Sequence, residues 1–176
     1  MLKRLLGFAT GTKTKVQKAA EKVCIPVGFA NYTAADFASQ FNIDPIMAQR
    51  VAMDYAALFS NGSAQQFGAA VAARPRDLAH LSDLIASRYG LVKENAVPIS
   101  RFFSMVAIAR EAQRRMVELS ITKAAWVSLE GVPFACHSAL SGTEFNPQIG
   151  LRTEGEFVLP ATRFDCQCFY QVKLDF

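Results

Sequence analysis

Apolar residues recur at helical spacing along most of the first two thirds of the chain. Met47, Val51, Tyr55, Leu58 and Phe59 follow one 3.6-residue period, and Leu78, Leu81, Leu84 and Ile85 form another apolar face. The starts of helices are marked too. Thr33, with Asp36 three residues on, has the form of a capping box and predicts a short helix to about Phe41. Asp44-Pro45 sets a capping carboxylate ahead of a proline at the first helical position, and Asn61-Gly62 is expected to stop that helix. An alanine-rich helix is predicted from about Ser63 to Ala73. Pro75 is expected to open the next one and Gly90 to close it. The longest helix is predicted over about 98–119, opened by Pro98. Phe102, Val106, Ala109 and Met116 lie near one face of it, with Arg110, Arg114 and Arg115 elsewhere: a core stripe and a wet basic face.

Near residue 123 the period changes. Ala124 to Leu129 reads as a strand centred on Trp126 and Val127, and Phe157-Val-Leu159 as another. In Cys166 to Leu174 the alternation puts Cys168, Tyr170, Val172 and Leu174 on one face. Ser141-Gly142, Gly150 and Gly155 punctuate the short runs between. The expected fold is α+β, a mainly helical N-terminal body followed by a small antiparallel β-rich C-terminal module. Three stretches follow from the pattern: a basic N-terminal arm or helix over 1–24, a helical body over 25–122, and the cysteine-bearing module over 123–176.

With 176 residues, 51% of them hydrophobic, the chain can bury a core that needs no disulfide or metal. No apolar run approaches the ~20 residues of a membrane span. The opening Met1 to Phe8 has two cations and several apolar residues, but Thr12 to Lys18 stands where a secretory leader would carry its apolar core, so no secretion is expected. The basic charge sits at one end. Residues 1–22 hold Lys3, Arg4, Lys13, Lys15, Lys18 and Lys22 against Glu21, and the rest of the chain has a slight excess of acid. These six cations are the candidate contacts to nucleic acid or an acidic partner; a solvated tail is the alternative. With Leu2, Leu5, Leu6 and Phe8 they also permit a peripheral membrane reading, although no membrane partner is expected.

The cysteines are Cys24, Cys136, Cys166 and Cys168. Cys136, His137, Cys166 and Cys168 supply the donors of a tetrahedral Cys₃His zinc site, but their spacing departs from the usual two to four residues between paired ligands. Buried apolar thiols are the simpler reading. A disulfide requires exposure to oxidant outside the cell. Adjacent Cys136 and His137 would point to opposite faces of a strand, which keeps the imidazole from serving the thiol as a base. His80, beside Leu78 and Leu81, is the other histidine. Glu154 and Glu156 share a face if extended, the arrangement of paired carboxylates in acid–base work, but they flank Gly155 in a loop. Lys13 lacks the glycine spacing of a phosphate loop, and no serine elbow, HExxH or dinucleotide fingerprint is present. The chain is therefore expected to be no enzyme.

One series of short motifs has a family likeness. It runs Ile99-Ser-Arg101, Glu118-Leu-Ser-Ile121, Lys123-Ala-Ala-Trp126-Val-Ser128, Cys136-His-Ser-Ala-Leu140-Ser-Gly142-Thr-Glu-Phe145 and Cys166-Gln-Cys168. In order and spacing it resembles the C-terminal region of the phage Mu F-like minor head proteins, the head-morphogenesis family of tailed bacteriophages. The likeness covers about residues 99–176. Pro133 stands where the family has the first cysteine of a Cys-x-x-Cys, Arg163 where it has a histidine, and Phe102-Phe103 where it has Thr-Glu. The family's four-ligand set is thus incomplete, with His137 as a substitute, and zinc is an option with no other cofactor expected. The resemblance implies a non-catalytic minor capsid or head-morphogenesis protein near the portal, present in several copies. The protein would be made in the host cytoplasm and carried in the virion. Its implied partners are the portal or major capsid protein and packaged DNA. Two further readings are a phage-derived toxin or nuclease effector, drawing on His80 with Glu154 or Glu156, and a zinc-binding adaptor.

Overall fold

A computed structural model describes residues 25–60, 65–128, 138–164 and 166–173. Five helices come first: α1 (Ala34–Phe41), α2 (Pro45–Ala57), α3 (Gln65–Ala73), α4 (Leu78–Tyr89) and α5 (Lys93–Glu118). Five short strands follow: β1 (Ala124–Val127), β2 (Glu144–Phe145), β3 (Leu151–Thr153), β4 (Glu156–Val158) and β5 (Phe169–Val172). The fold is α+β, a helical body followed by small antiparallel sheets.

Local chemistry places most helix starts. Thr33 and Asp36 close a reciprocal capping box on α1: the Thr33 hydroxyl accepts from the Asp36 N–H, and the Asp36 carboxylate accepts from the Thr33 N–H at 2.7 Å. Asp44 accepts from the N–H groups of Ile46 and Met47, both at 3.0 Å, with Pro45 at the first position of α2. Gly90, in the left-handed region at φ 69°, caps α4.

Two prolines sit differently from the sequence expectation. Pro75 does not open α4. It lies in the preceding turn, and Asp77 is the N-cap, accepting from the His80 N–H at 3.0 Å. Pro98 does not open α5, which starts five residues earlier. The Asn95 and Ala96 N–H groups already reach the Val92 carbonyl. Pro98 deprives only the exposed first turn of one bond, and water can satisfy the Glu94 carbonyl there.

The three-stranded sheet has the order β2-β1-β5, antiparallel throughout, and β3-β4 is a separate hairpin. The β1–β5 register sets Ala124 opposite Val172 and Trp126 opposite Tyr170. Trp126 is fully buried, and Phe145 packs on it at 5.7 Å between ring centroids. The other face carries exposed Glu144, Phe169, Gln171 and Lys173, with an ion pair between Lys173 and Glu144.

One apolar core joins the helices and the strands. At its centre Tyr32, Phe37, Tyr55, Phe102 and Phe164 pack ring against ring, with Tyr32 and Phe164 centroids 4.0 Å apart. The segment leading into α1 is tied to the far end of the chain. The Leu159 N–H and the Thr162 hydroxyl both donate to the Gly28 carbonyl at 3.0 Å, and Gln113 of α5 donates to the carbonyls of Val27 and Gln148.

Candidate functional site

Several C-terminal motif residues, Leu140, Gly142 and Phe145, gather around Trp126. The Trp126 N–H donates to the Thr143 carbonyl at 2.9 Å, and the Gly142 N–H donates to the Trp126 carbonyl at 2.8 Å. The Thr143 N–H turns back to Leu140 at 2.9 Å, closing the short helical turn Ser138–Leu140 against the strand. Gly142 takes φ 83°, a left-handed conformation that suits glycine. Tyr170 faces Trp126 across the ladder, and Cys168 lies two residues before Tyr170. Cys166 and Cys168 are both buried. Trp126 and Tyr170, 44 residues apart in the chain, thus belong to one unit.

Beside that unit runs an apolar groove of about 290 Å³. One wall is α5, through Ile108, Ala112 and Met116, and the other is β5, through Tyr170 and Val172, with Cys168, Pro160 and Ala161 at its end. The expected alternation is realised in burial: Cys168 is buried and Tyr170 and Val172 half-buried, whereas Phe169, which also lines the groove, and Gln171 are exposed; Leu174 lies outside the described residues. The Tyr170 hydroxyl oxygen is buried and has no hydrogen-bond partner among the described residues, and burial pushes its pKa up to about 12. Large apolar groups are exposed near the groove: Phe169 on β5, and Val117 and Leu119 at the end of α5.

The chain matches no protein-family model, and no curated protein or solved structure is similar to it.

Several expected site residues lie outside the described residues: Lys3, Arg4, Lys13, Lys15, Lys18 and Lys22 of the arm, with Cys24, Cys136 and His137. Two of the four proposed zinc donors, Cys166 and Cys168, are therefore placed, and they are close in the chain and buried. Among the described residues no three His, Cys, Asp or Glu side chains gather as a metal site would require. His80 and the two glutamates are not brought together. His80 is exposed on the first turn of α4, and Glu156 is ion-paired to Arg163 at 2.6 Å. Glu154 does not share an extended face with Glu156, because it occupies the β3–β4 turn at φ 51°. No helix among the described residues is long and apolar enough to cross a membrane.

The basic face expected on α5 is largely neutralised. Arg114 and Arg115 both bond Glu111, and Arg114 also reaches Glu118. These bonds hold the Glu111 carboxyl down to about 2. Arg110 is half-buried over the Phe59 ring, 5.7 Å from its centroid. A feature the sequence reading missed is a charged clamp between α2 and α4. Buried Asp54 accepts two bonds from Arg88, each 2.5 Å, and one from the Tyr89 hydroxyl at 2.7 Å. Arg88 also covers the Phe67 ring at 4.7 Å, and Arg50 holds the Arg88 carbonyl at 2.7 Å. This clamp is a structural brace between α2 and α4.

Proposed function

We propose that this chain is a non-catalytic structural or assembly protein of a tailed-bacteriophage head, a minor capsid or head-morphogenesis component acting near the portal. The observation that carries the reading is the convergence on Trp126. Leu140, Gly142 and Phe145 belong to the motif series that resembles the minor head proteins. They meet in one small β unit at the end of a long helix. The unit also presents apolar surface, the groove and exposed Phe169, of the kind that a neighbouring subunit covers. Portal or major capsid protein is the proposed neighbour, and the virion the proposed location.

Quantitative mass spectrometry on gradient-purified particles from the source phage tests this directly. The expected result is a fixed, low copy number per particle that survives washing. Absence from both proheads and mature particles overturns the proposal.

A further inference from the structure

Most arginines of the described body are engaged. Arg50 bonds the Arg88 carbonyl, Arg88 bonds Asp54, Arg110 covers Phe59, Arg114 and Arg115 bond Glu111, and Arg163 bonds Glu156. Four have no such partner: Arg74, Arg76, Arg101 and, on β3, Arg152. Three of these four sit at one corner. Arg74 and Arg76 flank Pro75 in the turn between α3 and α4. The Ser104 hydroxyl of α5 donates to the Pro75 carbonyl and pins that turn to α5. Arg101 lies one turn earlier on α5, about 4.5 Å along the helix axis. Packing of Phe67 on Phe103, 5.2 Å between centroids, holds α3 to the same stretch. All three arginines are exposed.

The surroundings lack compensating charge. No Asp or Glu occurs between Asp54 and Asp77, or between Glu94 and Glu111, and these are the two stretches that meet at the corner. The nearest carboxylate in sequence, Asp77, accepts from the His80 N–H as the cap of α4. Arg101 has Val97, Pro98, Ser104 and Met105 as its helix-face neighbours, none of them acidic. The exposed residues of α3 ahead of the turn are Gln66, Ala69, Ala72 and Ala73, neutral and short enough to let a large ligand approach. Leu78 is the one large apolar side chain exposed on this turn, so the corner lacks the buried aromatic or aliphatic anchors of a protein interface.

We propose that Arg74, Arg76 and Arg101 form a binding site for the sugar-phosphate backbone of a nucleic acid. Three like charges held together outnumber Asp77, the one carboxylate of the turn, and a polyanion relieves the repulsion that remains. The guanidinium fork takes two phosphate oxygens at once, which a lysine ammonium cannot do. Three arginines forking onto phosphate oxygens position a duplex without reading its bases, so the contact is independent of sequence. This site is separate from the N-terminal cations and goes beyond the assembly reading, on which it does not depend.

The test is binding of the full chain to a labelled random-sequence 20-base-pair duplex across 50–200 mM salt. Each phosphate contact contributes about 0.9 to the slope of log affinity against log salt. The triple variant Arg74→Gln/Arg76→Gln/Arg101→Gln retains the N-terminal cations and is expected to bind more weakly, with a slope shallower by between two and three units. The matched lysine variant is expected to recover most of the slope, which separates a charge effect from a folding defect. An unchanged slope in the glutamine variant, no duplex binding by the native chain, or retention of polyglutamate without duplex would each overturn the site.

Discussion

Removal of the Asp54 carboxylate is the sharpest test of how the helical body is held. Asp54 is 7% exposed and receives three hydrogen bonds, two of them from a guanidinium. Asp54→Ala leaves the Tyr89 hydroxyl buried without its acceptor, at a cost of about 1–3 kcal/mol. It also strips Arg88 of its counter-charge. Breaking a fully buried ion pair costs about 3–5 kcal/mol, but the Arg88 side chain is 42% exposed and regains water, so the lower part of that range applies. The two effects overlap, and we expect a total near 3 kcal/mol, or a fall in Tm of roughly 6–12 °C for a chain of this size. Urea unfolding of the native chain, Asp54→Ala, Tyr89→Phe and the double variant measures it. Tyr89→Phe alone should cost less than Asp54→Ala, and the double variant should fall short of the sum by about 1 kcal/mol, because both changes remove the same bond. A loss below about 0.5 kcal/mol in Asp54→Ala, or strict additivity, would refute the brace between α2 and α4.

Tyr170→Phe removes a buried hydroxyl oxygen that lacks a partner, so it should leave stability unchanged or raise it by about 1 kcal/mol in urea unfolding; a loss of 2 kcal/mol or more would mean that the hydroxyl is satisfied. Because its folded pKa is raised, Tyr170 in the native chain contributes stability that is present below pH 10 and lost as the pH rises toward about 12, a loss that Tyr170→Phe should diminish. Glu111 has the opposite sign: its depressed pKa gives a contribution present above about pH 4.5 and lost as pH falls toward about 2, so its carboxyl carbon should titrate near 2 by NMR and return toward 4.5 in Arg114→Gln/Arg115→Gln. Gly150 stands at φ 95°, where an added Cβ would lie 2.6 Å from the Val158 carbonyl oxygen, so Gly150→Ala should cost more than about 2 kcal/mol, and a Tm within 2 °C of native would contradict that packing.

Helix starts governed by side chains within three residues were legible in the sequence: Thr33 with Asp36, and Asp44 with Pro45. Pro75 and Pro98 misplaced two starts, because a proline tolerates a helix start without defining one. The defining event at α4 is the carboxylate of Asp77. The Trp126 strand was legible from its own composition, whereas β2 and β3 were not, since strands of two and three residues are specified by their partners. One wall of the groove was visible as the alternation from Cys168 to Val172. The other is Ile108, Ala112 and Met116 at helical spacing, and nothing local says that these stripes face each other across some 50 residues of chain. The arginine corner was hidden for a related reason. Arg74, Arg76 and Arg101 look scattered until the Ser104 hydroxyl finds Pro75, and the pairing of Arg114 and Arg115 with Glu111 removes the competing basic face.

The tie between Gly28 and Thr162 also sets a timetable for synthesis. Helices α1 to α5 leave the ribosome first, and their local contacts can form while the chain is still growing. The ring cluster around Tyr32 and Phe102 stays open until Phe164 arrives, and Gly28 waits for Leu159 and Thr162. A nascent chain stalled near residue 150 would carry an uncovered aromatic surface, the feature that holdase chaperones recognise. Closure then waits for residues 159–164, so a premature stop ahead of them would release a chain with formed helices and an unsealed centre.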